Sequence, residues 1–229
     1  MEITYQNQAA VQTATDACLA QNMRVLQLYQ CGDETAHVDR LLDMMAPPEN
    51  ACIVDVGCGI GEVARLMVAR RPDLGFLLLN LSEYQLALCP QEFTRIRADM
   101  HDMPVNDACA DVVMVNYTLG YADLGIFLKE AYRVLKPGGI LFIYDLSHNE
   151  LLSIEPCDLM ERKFGYRVFS RHFINSAAVR GGFVFDRIQF PPATRVHLDP
   201  LVDNEYRAVL AELDSMTRPT AWRFIKEVA

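Results

Sequence analysis

Three glycines two residues apart, Gly57, Gly59 and Gly61, stand in "VDVGCGIGE" directly after the apolar run Ala51–Val54. A G-x-G-x-G between a buried strand and a helix lets the backbone approach a ligand closely. It also aims a helix N-terminus at that ligand. Phosphates, dinucleotides and adenosine compounds all use such a loop, and a purely structural tight turn has the same form. The G-x-x-x-x-G-K-[ST] pattern is absent, which disfavours triphosphate hydrolysis. The dinucleotide fingerprint sets its last glycine three residues after the second, whereas Gly59 and Gly61 are two apart. Asp55 is embedded at the turn.

Such a loop needs a strand before it and a helix after it, and the periodicity supplies both. Ala51–Val56 reads as a short apolar strand, and "EVARLMVARR" as a helix with Val63, Leu66 and Met67 on one face. The alternation continues. "GFLLLN", "TRIRA", "ADVVMVN" and "ILFIYDL" read as strands; "SEYQLALC" and "DLGIFLKEAYRVL" read as helices, the second broken by Lys-Pro-Gly-Gly. Fully apolar strands alternating with helices indicate an α/β fold whose parallel sheet is covered on both faces. The spacing predicts helices over "VQTATDACLAQNMRVLQLYQ" and "TAHVDRLLDMM", the latter stopped by Pro47-Pro48. In the last third, "GGFVFDRIQF" and "PTAWRFIKEVA" suit an antiparallel pair at the sheet edge, separated by a helix near Asn204–Met216. One domain is expected over 1–229: a helical cap at 1–48, a cofactor-binding half at 49–146 and a substrate-side half at 147–229.

Composition removes other classes. The 229 residues suffice for one α/β core, and no apolar run approaches the roughly 20 residues of a membrane span. No secretory signal is visible at the N-terminus. A net charge of −9 argues against a general nucleic-acid surface. The seven cysteines are dispersed, with no C-x-x-C pair, and read as reduced, buried thiols of a cytoplasmic protein. Their spacing gives no zinc site.

"VDVGCGIGE", "RADMHDMPV", "ADVVMVNYTLGYAD" and "EAYRVLKPGGIL" occur in order. Together, over roughly residues 50–146, they resemble the class I S-adenosylmethionine-dependent methyltransferases. The resemblance implies a Rossmann-like seven-stranded sheet of order 3-2-1-4-5-7-6 with the last strand antiparallel, and S-adenosylmethionine as cofactor. It places Gly57, Cys58, Gly59 and Gly61 under the methionine part of that cofactor and Asp55 at its cationic amino end. Asp99 matches the acid that accepts from the adenine amino group, with Met100 against the ring. Asn116 and Tyr117 fall where oxygen dipoles and an aromatic face meet the sulfonium.

One departure points to a branch. The usual acid at the end of the second strand is replaced by Asn80 in "LLLNLSEYQ". This is similar to cyclopropane fatty-acid synthases, sterol C-methyltransferases and prenyl-diphosphate C-methyltransferases, in which a neutral residue and a glutamine five positions later share the ribose hydroxyls. Asn80 and Gln85 fit that spacing, with Leu81 beside them; Glu83 is the rival, and its alternative role is to complement the helix dipole. On this reading Asn80→Asp is tolerated. The branch's catalytic acids do not transfer, because Gly120 stands where cyclopropane synthases carry a bicarbonate-holding Glu and Tyr117 lies near the prenyl enzymes' acid.

Given that cofactor, the enzyme's task is chiefly alignment of the nucleophile. Tyr117, Tyr121 and His148 are the catalytic candidates, with Asp145, Tyr5, Tyr29 and His37 nearby. His148 has the pKa best suited to proton transfer, unless it is an exposed loop histidine. Residues 151–200 hold seven Arg/Lys against five acids, with Phe164, Tyr166, Phe169, His172 and Phe173 interleaved. A basic, aromatic wall suits an amphipathic anion such as a prenyl diphosphate; an ordinary solvated helix has the same composition. The expected function is methyl transfer to a small molecule, at carbon of an isoprenoid or lipid-like substrate. The alternatives are O- or N-methylation of a natural product, or a cofactor-binding scaffold without transfer. Nucleic-acid partners are not expected, and a homo-oligomer is possible.

Overall fold

A computed structural model describes residues 34–152, 154–191, 211–212 and 215–228. The first helix predicted from periodicity, Tyr5, Tyr29 and most of the helix near Asn204–Met216 lie outside these residues. The described chain runs α1 (Glu34–Met45), β1 (Cys52–Val56), α2 (Glu62–Arg70), β2 (Gly75–Asn80), α3 (Glu83–Leu88), β3 (Thr94–Arg97) and β4 (Ala110–Asn116). A 3-10 turn at Leu119–Tyr121 leads to α4 (Leu124–Val134) and β5 (Leu135–His148). Then come α5 (Glu155–Phe164), β6 (Phe169–Ser170), α6 (Arg171–Arg180), β7 (Phe183–Gln189) and β8 (Arg218–Lys226).

The sheet order is β3-β2-β1-β4-β5-β8-β7, with the two-residue β6 on β5. Without β6, which the sequence did not announce, this is the order 3-2-1-4-5-7-6. β8 is antiparallel to both neighbours, placing Trp222 opposite Ile143 and Ile188. Alternate residues of each strand enter different cores. Val54, Val113, Val115, Leu141 and Ile143 pack with Phe127 and Leu128 of α4 and with Trp222. Ile53, Val112, Met114, Phe142 and Tyr144 pack with Leu41, Met45, Val63 and Met67 of α1 and α2. Burial on both faces is why these strands are apolar throughout rather than alternating.

Lys-Pro-Gly-Gly does not separate helix from strand as predicted. β5 begins at Leu135, and the register against β4 shifts between Ala110 and Val112. The irregular pairing accommodates Pro137, which cannot donate to a ladder. The sheet order reverses between β1 and β4, so their carboxyl ends open the crevice where α/β sheets bind ligands.

Candidate functional site

The glycine loop sits at that crevice. The N–H groups of Gly57 and Cys58 both donate to Leu79 O, at 2.8 and 3.1 Å, tying the loop to β2. All three glycines have left-handed φ: 75° at Gly57, 58° at Gly59 and 74° at Gly61. Their surroundings differ. A Cβ on Gly57 would lie 2.2 Å from Thr118 Cγ2, and one on Gly61 would lie 2.9 Å from Leu78 Cδ1 and 3.3 Å from Cys89 Sγ. A Cβ on Gly59 would meet only Gln85 Oε1, at 3.9 Å. The expectation that the whole loop is stripped for a ligand is therefore narrowed. Gly57 and Gly61 make room for the chain's own side chains, and Gly59 alone faces open space.

Asp55, near the end of β1, is buried, and its carboxyl has no hydrogen-bonding partner among the described residues. Burial pushes its carboxyl up to about 7. Beside it, Asn80 and Gln85 do come together. Asn80 Nδ2 donates to Gln85 Oε1 at 3.0 Å and to Gly59 O at 3.2 Å, while Asn80 Oδ1 accepts from Ser82 N at 3.3 Å. Backbone partners on both sides fix the amide's orientation, so an aspartate would set a carboxylate oxygen against Gly59 O. This reverses the expectation that Asn80→Asp is tolerated. Glu83 points away, its side chain 81% exposed and paired with Arg97; Leu81 is half-buried and offers its carbonyl to Arg97.

Past β3, Asp99 Oδ1 accepts from His101 N at 2.9 Å and from His101 Nδ1 at 2.6 Å. His101 Nε2 accepts from Asp123 N at 2.8 Å. A backbone N–H can only donate, so Nε2 carries the lone pair and the proton sits on Nδ1, facing Asp99. These bonds from His101 hold the Asp99 carboxyl below the usual range. Met100 is buried beside it. Sequence reasoning missed His101; its one signal was its place two residues after Asp99.

Asn116 and Tyr117 close β4. Asn116 Oδ1 is buried without a hydrogen-bond partner among the described residues. Tyr117 has φ 52°, a conformation that costs a non-glycine residue about 1–2 kcal/mol; its N–H donates to Tyr144 O at 2.8 Å. The rings of Tyr117 and Tyr144 meet edge to face at 5.2 Å, and His37 adds to Tyr144 at 5.3 Å. Burial lowers His37 to about 4.

A second group surrounds Asp145. Its Oδ2 accepts from Leu119 N at 2.9 Å, and its Oδ1 from Leu146 N at 2.7 Å and from the Tyr166 hydroxyl. Burial outweighs these bonds and pushes its carboxyl up to about 7. Tyr121 packs on Tyr166 at 4.9 Å. A Cβ on Gly120 would lie 2.6 Å from Tyr166 Cζ, so the Tyr166 ring fills the place of a side chain there. His148 is buried at the end of β5, not exposed in a loop; burial lowers its pKa, and its Nδ1 has no partner among the described residues.

The site fits an adenosylated amino acid. Gly59 leaves room over the loop; Asp55 and Asn116 hold side-chain oxygens without hydrogen-bond partners among the described residues, suited to a cation; and Asp99 Oδ2 accepts no hydrogen bond among those residues. A family model described as a methyltransferase domain matches residues 54–143. A malonyl-[acyl-carrier protein] O-methyltransferase of Dechloromonas aromatica is 30% identical over 94 residues, 41% of this chain and 36% of that protein. A sterol 24-C-methyltransferase of Aspergillus fumigatus is 31% identical over 119 residues, 48% of this chain and 31% of that protein. The chain thus spans less than half the length of these curated relatives. Geranyl diphosphate C-methyltransferase from Streptomyces coelicolor superposes with a TM-score of 0.74 at 19% identity, over 84% of this chain and 80% of that one. The loop, the strand order and these matches agree: residues 54–143 match the methyltransferase-domain family, within a fold shared with a methyltransferase of known structure.

Proposed function

We propose that this protein transfers a methyl group from S-adenosylmethionine to a small amphipathic anion, at carbon of an isoprenoid or lipid-like chain. The observation that carries the anion is a pair of arginines at the outer edge of the site. Arg171 lies 5.4 Å and Arg218 5.1 Å from the Phe190 ring centroid, and neither has a carboxylate partner among the described residues. Arg171 follows Ser170, which pairs with His148, and Arg218 pairs with Ser147, so both lie at the carboxyl end of β5. Phe173 and Phe190 are exposed beside them. By contrast Arg167 is matched by Glu161, and Arg187 lies near Asp186.

The cofactor supplies an electrophilic sulfonium methyl; the chain's residues supply position. Asp55 is placed for the amino group, Asp99 for the adenine, and Asn116 with Tyr117 for the positive sulfur. The paired rings of Tyr117 with Tyr144 and of Tyr121 with Tyr166 suit carbon methylation, because aromatic faces stabilise a developing cation. We assign the departing proton to Asp145, which is buried against Tyr166 with its carboxyl pushed up to about 7. A second reading, O-methylation of a carboxylate, draws on the malonyl-[acyl-carrier protein] O-methyltransferase relatives, and a carboxylate nucleophile needs no base.

The test is incubation with methyl-labelled S-adenosylmethionine and a panel of prenyl diphosphates, acyl acids and uncharged analogues, with the label located by mass spectrometry. Label on carbon of an anionic chain is expected. Label on a carboxylate selects the second reading, and equal transfer to uncharged analogues refutes the anion.

A further inference from the structure

The thiols of Cys58 and Cys89 meet beneath the glycine loop. Cys58 Sγ lies 3.6 Å from Gly59 O, and Cys89 Sγ lies 3.5 Å from the same oxygen. The interaction between the two side chains pushes the Cys58 thiol up and holds Cys89 below the usual thiol range. Cys58 is part-exposed and Cys89 is buried behind it, so an oxidant that reaches Cys58 meets two thiols held at one carbonyl oxygen. Among the described residues, burial raises Cys52 and pushes Cys157 up to about 12.

We propose that Cys58 and Cys89 are a reversible oxidation site, forming a disulfide with hydrogen peroxide as oxidant. One sulfur attacks a peroxide oxygen, the O–O bond breaks, and hydroxide leaves as water with a thiol proton. The second sulfur attacks the resulting sulfenic acid, the S–S bond forms, and a second water leaves. Two thiols lose two electrons in all, and one peroxide becomes two waters.

The bond moves the loop. An S–S distance of about 2.05 Å is far shorter than any contact between sulfurs that are not bonded. Closing it takes both sulfurs from Gly59 O and draws the loop toward the end of α3. Gly59 O also accepts from Asn80 Nδ2, so the shift reaches the Asn80–Gln85 pair. Loss of cofactor affinity rests on the proposed role of this loop; formation of the disulfide does not.

The experiment treats the full-length protein with hydrogen peroxide, then maps its peptides without reduction and titrates it with S-adenosylhomocysteine, before and after dithiothreitol. A peptide linking residues 58 and 89 is expected. Affinity should fall more than about tenfold and return on reduction. Cys89→Ala, compared with its own reduced form, should lose the response. Absence of that linked peptide, a link through Cys52 or Cys109 instead, or a loss of binding that persists in Cys89→Ala would overturn the proposal. A linked protein with unchanged affinity would overturn the effect on the loop. Failure of the reduced protein to bind at all would sink the functional reading while the peptide map still decided the disulfide.

Discussion

Gly57→Ala and Gly59→Ala should fail in opposite ways although the residues are two apart. At Gly59 the structure leaves a methyl group open space, so the folded state bears mainly the left-handed φ of 58°, about 1–2 kcal/mol. The new methyl projects where the ligand is proposed to lie, so stability should fall modestly and S-adenosylhomocysteine binding should fall strongly. At Gly57 the same backbone cost is joined by contacts of 2.2, 2.6 and 2.8 Å to Thr118 Cγ2, Oγ1 and Cβ. Carbon atoms favour separations of about 3.5–4.0 Å, so Thr118 or the loop must move by more than an ångström. Overpacking of that kind costs about 1–3 kcal/mol, for a total of roughly 2–5 kcal/mol against the roughly 5–15 kcal/mol of a typical domain. Thr118→Ala removes two of the three contacts and should recover part of the loss, a coupling that a double-mutant cycle measures. Urea denaturation gives the stabilities and calorimetry the affinities. Equal destabilisation by the two alanines, or wild-type affinity in Gly59→Ala, would refute the division of labour within the loop.

Further tests follow from the neighbouring contacts. Asp99→Ala should weaken S-adenosylhomocysteine by about 1.5–3 kcal/mol, and His101→Phe, which frees Asp99 without removing it, by about 0.5–1.5 kcal/mol; unchanged affinity in folded Asp99→Ala places adenine elsewhere. Asn80→Ala and Gln85→Ala should be non-additive by calorimetry, because each amide is the other's partner at 3.0 Å, and Asn80→Asp should weaken binding; a stronger loss from Glu83→Ala than from both alanines together would sink the ribose assignment. The pH dependence has a definite sign. Burial holds the Asp55 carboxyl up to about 7, whereas the unfolded chain releases that proton near about 4. Between those values the folded state binds more protons, so this residue's contribution falls as pH rises, by on the order of 4 kcal/mol in all. Asp55→Asn should flatten the stability difference between pH 5 and pH 8 in urea denaturation; an unchanged slope would show that Asp55 ionises normally.

The core strands and helices were legible because burial on both sheet faces leaves a local record. "GFLLLN" and "ADVVMVN" match β2 and β4 to the residue, and an apolar run between turn residues needs no distant information to be read. The glycine loop was legible too, since left-handed φ selects glycine whatever lies beyond. Its division was not. Whether a glycine faces a ligand or Thr118 depends on a residue some sixty positions away, and no spacing rule carries that. The Lys-Pro-Gly-Gly strand start was misread for the same reason: the register against β4, not local propensity, decides it.

By itself the sequence determined the alternating elements, the turn at Gly57–Gly61, and the candidates Asp55, Asp99, Asn80 and Gln85. These follow from periodicity and from short-range motifs, which the chain writes within a few residues. Only the tertiary structure decided which polar groups face one another: His101 against Asp99, Tyr166 against Asp145 and over Gly120, Arg171 beside Arg218 at Phe190, and Cys58 against Cys89. Apart from His101 and Asp99, which share one turn, each pairing joins different elements or loops once the chain has folded around them. Hydrogen bonds and charge effects act over a few ångströms of space, and separation along the chain does not measure that distance.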